Sequence, residues 1–521
     1  MRHKAIGDWA ENVLSRMTLK QKLGQLLLTR ASVQDIEELV AEGLVGGFFA
    51  ANHVSSERLE QLKSMSSIPL LIAQDLEVGF TAGSLKWSSA MSVAAAGDSR
   101  LAYEWAYRQG LEARKAGANA VFGPVLDIAM NPRGELCGIR TFGADPHRVA
   151  DLGAAAARGY QDAGLLPFAK HFPGFGRGPQ DAHIELSVLD TDENTLWEND
   201  LLPYRKAVEQ GLWGVMTGHI LAPAVDADLP SPVSGAIMGL LSRMGFHGLT
   251  VTDSLAMKGI LYHYEAKHLY PQAIISGHDL LLADYQTPDR LGIAYLEEAV
   301  EDGRIPEELL DRKVLRILRM KEILENIAAQ EVDRPQTAAF YQSIADRSMT
   351  GLRTDGKSFQ ALEADRSILF VIVSQDSVDV EGELSAGENP TSELILRLRE
   401  DFPHARCEVI PLQPSTLEVQ KVLQAGLQAE QVCYIAHTPT RCYMGTNTYM
   451  PGVRAMVRGM RSKIHTFVVW GNPYAAEELP PLEQYLFCYD RGPWVDSVAR
   501  TLKGTLQPQG KIPVPVAVNR S

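Results

Sequence analysis

The sequence predicts an α/β protein with two domains, a (β/α)8 TIM-type barrel followed by an α/β sandwich. Two observations point to the barrel. Between residues 20 and 290 short apolar runs alternate with amphipathic stretches, many of which end in Gly, which is the pattern of repeated βα units. The later runs also end in charged or polar residues (Asp75, Asp127, Lys170-His171, His219, Asp253 and Asp284), and barrels build their active sites at the C-terminal ends of strands. A doubly wound sheet accounts for the same runs; the polar strand ends favour the barrel.

In order, the runs are 24–28, 45–49, 70–73, 120–125, 166–169, 214–217, 249–252 and 280–282, and eight is the number of strands that closes a barrel. Between them, 100–115, 147–162, 197–210 and 235–243 carry apolar residues at three- and four-residue spacing and are expected to be helices. A long polar helix over 306–325 ends the barrel domain, 1–325. The mixed, polar stretch 326–347 reads as a linker, and 348–521 as the second domain. There, strand-like runs at 368–373, 408–411, 432–436, 466–470 and 485–488 recur with helical patterns such as 393–399 and 494–502.

Composition narrows the function. With 521 residues, 45% of them apolar and 22% charged, the chain is neither disordered nor low in complexity. A formal net charge of −14 has the wrong sign for neutralising phosphates, so no nucleic acid and no anionic membrane surface is expected as a partner. Asp8 and Glu11 interrupt the stretch that a secretory signal would need, and no apolar run reaches the length of a membrane span, so a soluble, cytoplasmic protein is expected. The five cysteines, Cys137, Cys407, Cys433, Cys442 and Cys488, form no CxxC pair and read as free thiols; no cofactor and no metal site is expected.

Two segments carry candidate chemistry. The stretch 170–183, KHFPGFGRGPQDAH, delivers Lys170 and His171 from a strand end and then breaks into a loop of glycines and prolines. Three glycines at 174, 176 and 178 predict a mobile loop that moves in when a ligand binds; their spacing is not that of a phosphate cradle. Asp181 and His183 stand two apart, so in an extended stretch the carboxylate can hold one imidazole nitrogen while the other faces a ligand, an acid/base arrangement. In the second segment, 248–260, apolar residues lead to Asp253, whose carboxylate can be a nucleophile, a base or a metal ligand. Ser254 sits in no GxSxG elbow and reads as a turn cap; His263, Glu265 and His268 lack HExxH spacing and read as a solvated helix face.

These residues resemble family 3 glycoside hydrolases, in particular their β-N-acetylglucosaminidase branch with its K-H-[FI]-P-G-x-G-x4-D-[ST]-H signature. Residues 170–183 fit every position except Ala182, which stands where the motif has Ser or Thr. Residues 251–259 look like the family's nucleophile segment and 123–145 like its substrate-arginine region; the likeness spans nearly the whole chain. The resemblance implies a (β/α)8-type barrel with an α/β sandwich, Asp253 as nucleophile, His183 as acid/base with Asp181 as its partner, and Asp75, Arg140, Lys170 and His171 on the sugar. One departure is the segment after Asp75, Leu76-Glu77-Val78-Gly79, in which Gly83 occupies the place of an expected Arg. The implied activity is a retaining exo-β-N-acetylglucosaminidase acting on a small carbohydrate, peptidoglycan-derived fragments, through a covalent glycosyl-aspartate. The alternatives are a β-glucosidase or glycoside phosphorylase of the same family, or a silent sugar-binding protein. The oligomeric state is not legible.

Overall fold

The computed structural model describes residues 8–50, 54–77, 85–132, 134, 138–178, 180–284, 286–328, 330–374, 390–438, 449–489 and 492–518. Val78, Gly79, Gly83, Cys137, Pro179 and Cys442 of the preceding section lie outside them. The chain divides into two compact units, the first formed by 1–84, 99–134 and 146–333, the second by 85–98, 135–145 and 334–521.

The first unit is α/β with a curled parallel sheet. Its strands are β1 (Leu27–Arg30), β2 (Gly47–Phe49), β3 (Leu71–Gln74), β4 (Ala120–Val121), β5 (Leu166–Pro167), β6 (Ala169–Phe172), β7 (Ser187–Val188), β8 (Gly214–Thr217), β9 (Ile220–Leu221), β10 (Leu249–Thr252) and β11 (Leu281–Leu282). A parallel ladder runs β11-β1-β2-β3-β4-β5 and a second runs β10-β8-β6, while β7 pairs only with β9. Single parallel bridges, Val125 with Lys170 and Val251 with Leu280, join residues of the two ladders or their flanks. The strands are short and apolar because both their faces are covered: β3, β6, β8 and β10 are buried along their whole length. Leu27, Phe48, Ile72, Phe122, Phe168, Met216, Val251 and Leu281 belong to one apolar cluster.

Helices Ser99–Lys115, Pro146–Asp162, Gly235–Arg243 and Glu307–Glu325 lie where the periodicity places them. The predicted 197–210 helix is instead a π-helical turn, Leu196–Asp200, followed by Leu202–Glu209. The first predicted run begins too early, because Leu19–Gly24 is a helix with Thr18 and Gln21 in a reciprocal capping box.

Lys321 sits before the N-terminal ends of β1 and β2, its Nζ donating to Gln25 Oε1 at 2.6 Å and Gly46 O at 2.8 Å. Burial drives this amine down to about 7 from 10.5. Because the unfolded chain still binds the proton between those values, folding stability rises with pH from about 7 to about 10.5, by about 1.4 kcal/mol per pH unit from this group alone. Chemical denaturation at pH 7 and 9.5 checks this: the rise is expected in the parent and is expected to be lost in Lys321→Met.

The second unit holds β12 (Thr350–Arg353), β13 (Ile368–Val373), β14 (Arg406–Ile410), β15 (Gln431–Thr438), β16 (Ile464–Gly471) and β17 (Gln484–Cys488) in the order β12-β17-β16-β15-β13-β14. All pairings are parallel except β12 with β17. Cys433 and Ile435 of β15 face Leu394, Leu398, Val495 and Val498 of helices Pro390–Asp401 and Trp494–Lys503. On the other face the Tyr434 hydroxyl reaches Met460 Sδ at 3.7 Å. The segment read as a linker, 326–347, contains most of the helix Arg334–Ser348, which buries Tyr341, Ile344 and Ala345. Its polar composition hid the apolar positions that make it part of the unit. Cys407 and Cys433 are free thiols. Among the described residues no helix is long and apolar enough to cross a membrane.

Candidate active site

The C-terminal ends of the first unit's strands carry the polar residues that the sequence singles out. Asp75 follows β3, Lys170 and His171 lie within β6, His219 follows β8 and Asp253 follows β10. Lys170 Nζ donates to Asp75 Oδ1 at 2.7 Å and also pairs with Glu77; the Lys170 side chain is almost fully buried, whereas that of Asp75 is 40% exposed. His171 Nδ1 lies 2.7 Å from Asp127 Oδ2, and its Nε2 lies 3.9 Å from Asp253 Oδ2.

Asp253 is fixed by its backbone and by its neighbour. Its N–H donates to Thr217 O at 2.8 Å, tying the end of β10 to β8. The Ser254 N–H donates to Asp253 Oδ1 at 2.7 Å, leaving Oδ2 on the His171 side. Burial pushes this carboxyl up, but the attraction of His171, Lys170 and His183 outweighs it, so the group is held below the ordinary carboxylate value. An ionised, partly exposed carboxylate at a strand end is competent as a nucleophile at neutral pH.

The 173–183 loop is seated by many backbone contacts. Phe175 N donates to Asp127 Oδ1 at 2.8 Å, Asn131 N to Gly176 O at 3.1 Å, and Arg177 Nε to both oxygens of Asp200 at 2.9 and 2.8 Å. A Cβ on Gly176 would lie 1.6 Å from Ile128 O. The glycine at this position therefore serves close packing. At the loop's end His183 Nδ1 lies 2.7 Å from Asp181 Oδ1, which also accepts the His183 N–H at 2.9 Å. Asp181 is buried and His183 is one-quarter exposed. An imidazole held this way at Nδ1 presents Nε2 for proton transfer.

This tip rests on the chain just beyond Asp253. Gly259 N donates to Ala182 O at 3.1 Å and Lys258 N to His183 O at 3.3 Å. Ala182, the departure from the signature, is fully buried, so its side chain meets no solvent.

Residues 18–320 match the family described as glycosyl hydrolase family 3 N terminal domain. The chain belongs to glycosyl hydrolase family 3. It is 28% identical over 552 residues to a beta-N-acetylglucosaminidase/beta-glucosidase of Cellulomonas fimi, covering 97% of this chain and 95% of that one. It is 34% identical over 221 residues to the beta-hexosaminidase LpqI of Mycobacterium tuberculosis, covering 41% of this chain and 56% of that one. Among solved structures, a family 3 beta-N-acetylglucosaminidase from Paenibacillus sp. str. FPU-7 superposes with a TM-score of 0.86 at 30% identity, covering 96% of this chain and all of that one. A beta-glucoside phosphorylase, BglX, shares the fold with a TM-score of 0.82 at 23% identity, covering 100% and 97%.

In this family 3 hydrolase, the sequence-predicted residues Asp75, Lys170, His171, Asp181, His183 and Asp253 all fall in the first unit. Arg140 lies in the 3-10 turn Gly138–Arg140, within the segment that groups with the second unit. Asp127 and His219 were visible only as polar strand ends; their partners, His171 Nδ1 and Ser254 O, lie 44 and 35 residues away, beyond what a local motif encodes. Asp284, on the same strand-end list, is a turn residue that accepts from Gln286 N, Thr287 N and the Thr287 hydroxyl. Ser254 Oγ accepts from Ala256 N at 3.3 Å, as a turn cap does. His263, Glu265 and His268 are exposed, and no group of three His, Cys, Asp or Glu among the described residues is arranged to hold a metal ion.

Gly259 gives a direct test of the docked tip. An added Cβ would lie 2.7 Å from Ala182 O and 2.8 Å from Glu185 O, both backbone atoms that cannot swing aside. Gly259→Ala is therefore expected to push His183 out of place and lower turnover about 10²-fold with only a modest fall in Tm, read by steady-state kinetics beside thermal unfolding.

Proposed function

We propose that this hydrolase is a retaining exo-β-N-acetylglucosaminidase, with Asp253 as nucleophile and the His183–Asp181 pair as acid/base, working on peptidoglycan-derived fragments in the cytoplasm. The reading takes the first unit as an eight-stranded (β/α)8 barrel and the second as an α/β sandwich. The observation that carries it is the pairing of an ionised Asp253 with an Asp181-held imidazole whose loop tip rests on residues 258–259. The names of the Cellulomonas fimi and Paenibacillus relatives support the choice of sugar.

The geometry supports a double displacement. Asp253 Oδ1 already accepts the Ser254 N–H, so Oδ2 is the oxygen that attacks the anomeric carbon. As that bond forms, the bond from the anomeric carbon to the leaving oxygen breaks, and the leaving oxygen takes the proton from His183 Nε2. Asp181 stabilises the imidazolium beforehand and keeps Nδ1–H engaged afterwards. Water then gives its proton back to Nε2 and its oxygen to the anomeric carbon, releasing the Asp253 carboxylate. Lys170, Asp75 and His171 offer the charged and hydrogen-bonding groups for sugar hydroxyls beside this line.

After the first proton transfer the imidazole is neutral, so it does not repel an anion as a carboxylate would. Leaving groups with a lactyl carboxylate, as in wall fragments, are therefore accommodated.

The test is turnover of nitrophenyl N-acetylglucosaminide against nitrophenyl glucoside, each with and without phosphate. Preference for the N-acetylated sugar, with N-acetylglucosamine as product, is expected. An enzyme that prefers glucoside, or releases only sugar phosphate, contradicts the reading.

A further inference from the structure

His219 is fully buried two residues past β8, between the strand ends that carry His171 and Asp253. Its Nε2 lies 2.7 Å from Ser254 O, a carbonyl that can only accept, so the proton is on Nε2 and Nδ1 is left as an acceptor. That Nδ1 has no hydrogen-bond partner although it is buried. Ser254 is thus clamped at both ends, its N–H by Asp253 Oδ1 and its C=O by His219.

We infer that His219 is a positioning residue for the nucleophile: by holding the Ser254 carbonyl through Nε2–H, it keeps the Ser254 N–H on Asp253 Oδ1 and so leaves Oδ2 aimed for attack. The inference rests on Asp253 being the nucleophile.

The choice of a histidine follows from the surroundings. A cation of fixed charge here would pair with Asp253 and blunt it, whereas a buried imidazole donates one hydrogen bond and stays neutral. Burial lowers the affinity of His219 for a second proton; Asp253 opposes this, and His183 and His171 reinforce it. The groups facing this pair are therefore Asp253 after β10, His171 and Lys170 from β6, and His183 from the loop.

The two amide replacements separate the nitrogens. The Gln side-chain amide reaches about as far as Nε2 and can still donate to the Ser254 carbonyl; the Asn amide reaches only about as far as Nδ1. With a nitrophenyl N-acetylglucosaminide, His219→Gln is expected to keep kcat within about fivefold of wild type. His219→Asn is expected to lose about 10²-fold in kcat with KM little changed, since the loss is of aim and not of sugar contacts. The acid limb of kcat/KM is expected to move to higher pH in His219→Asn, because the Ser254 N–H is no longer held on Asp253 Oδ1, where it favours the ionised carboxylate. Equal kcat values for the two folded variants, or an unmoved acid limb in His219→Asn, overturn the inference while a working wild type and a dead Asp253→Ala leave the proposed function standing. A wild type inert on this substrate overturns both.

Discussion

Asp253→Asn is expected to lower turnover of a nitrophenyl N-acetylglucosaminide by at least about 10⁴-fold with Tm little changed or slightly lowered. A neutral amide cannot form the glycosyl ester, so the double displacement loses its first step. The fold has little reason to suffer. The amide oxygen can still accept the Ser254 N–H, and the backbone bond from Asp253 N to Thr217 O is untouched. Removing a charge that burial disfavours offsets part of the lost attraction to His171 and Lys170. Steady-state kinetics with thermal unfolding checks both halves; a variant retaining a tenth of wild-type rate places the nucleophile elsewhere.

His183→Ala is expected to have the second largest effect, and its size depends on the leaving group. A nitrophenolate departs with little help from a proton, whereas a sugar alkoxide needs one, so the variant loses far more rate on a natural disaccharide than on the aryl glycoside. With His183 replaced, water reaches the glycosyl-enzyme without a base, and on the aryl substrate breakdown of that intermediate becomes the slow step. Asp181→Asn leaves the proton carrier in place but exchanges the acceptor at Nδ1 for a neutral one, so it shows the same trend more mildly. The ratio of kcat/KM on the two substrates, compared across wild type and both variants, is the measurement. Equal losses on both substrates move the acid/base role to another residue. Glu77 is paired with Lys170, while Glu185 lies exposed two residues past His183.

The sequence made the strands more legible than the connections. The run 368–373 coincides with β13, and 214–217 and 249–252 with β8 and β10, because strands covered on both faces are written as unbroken apolar runs. The edge strand β12, Thr350–Arg353, left no such mark; it pairs only with β17 and is partly exposed at Gly351 and Leu352. The chain's allegiance to its units was not legible either. Residues 85–98 and 135–145 group with the second unit, where the Ser89 hydroxyl donates to Tyr489 O, 400 residues on, and Ala144 N to Pro513 O. Such pairings have no periodicity to betray them.

The candidate site divides in the same way. Asp181 and His183 are two residues apart and could be paired from spacing alone, and their 2.7 Å contact is local. The Asp127 carboxylate that holds His171, and the clamp of His219 on Ser254, depend on neighbouring strands brought together by the curl of the sheet. Glycine is ambiguous for a related reason. In a sequence, three alternating glycines signify freedom, whereas Gly176 lies where only a missing Cβ lets the loop approach Ile128 O.

The most direct measurement is the site of covalent labelling. Incubation with an activated 2-fluoro glycoside, which slows breakdown of the intermediate, followed by proteolysis and peptide mass mapping, is expected to find the fluorosugar on Asp253, in the peptide that carries the β10 strand end. The label is expected to be absent from Asp253→Asn. A label on Asp75, Asp127 or Asp284, or inactivation without any covalent label in an enzyme that turns over N-acetylglucosaminides, contradicts the account.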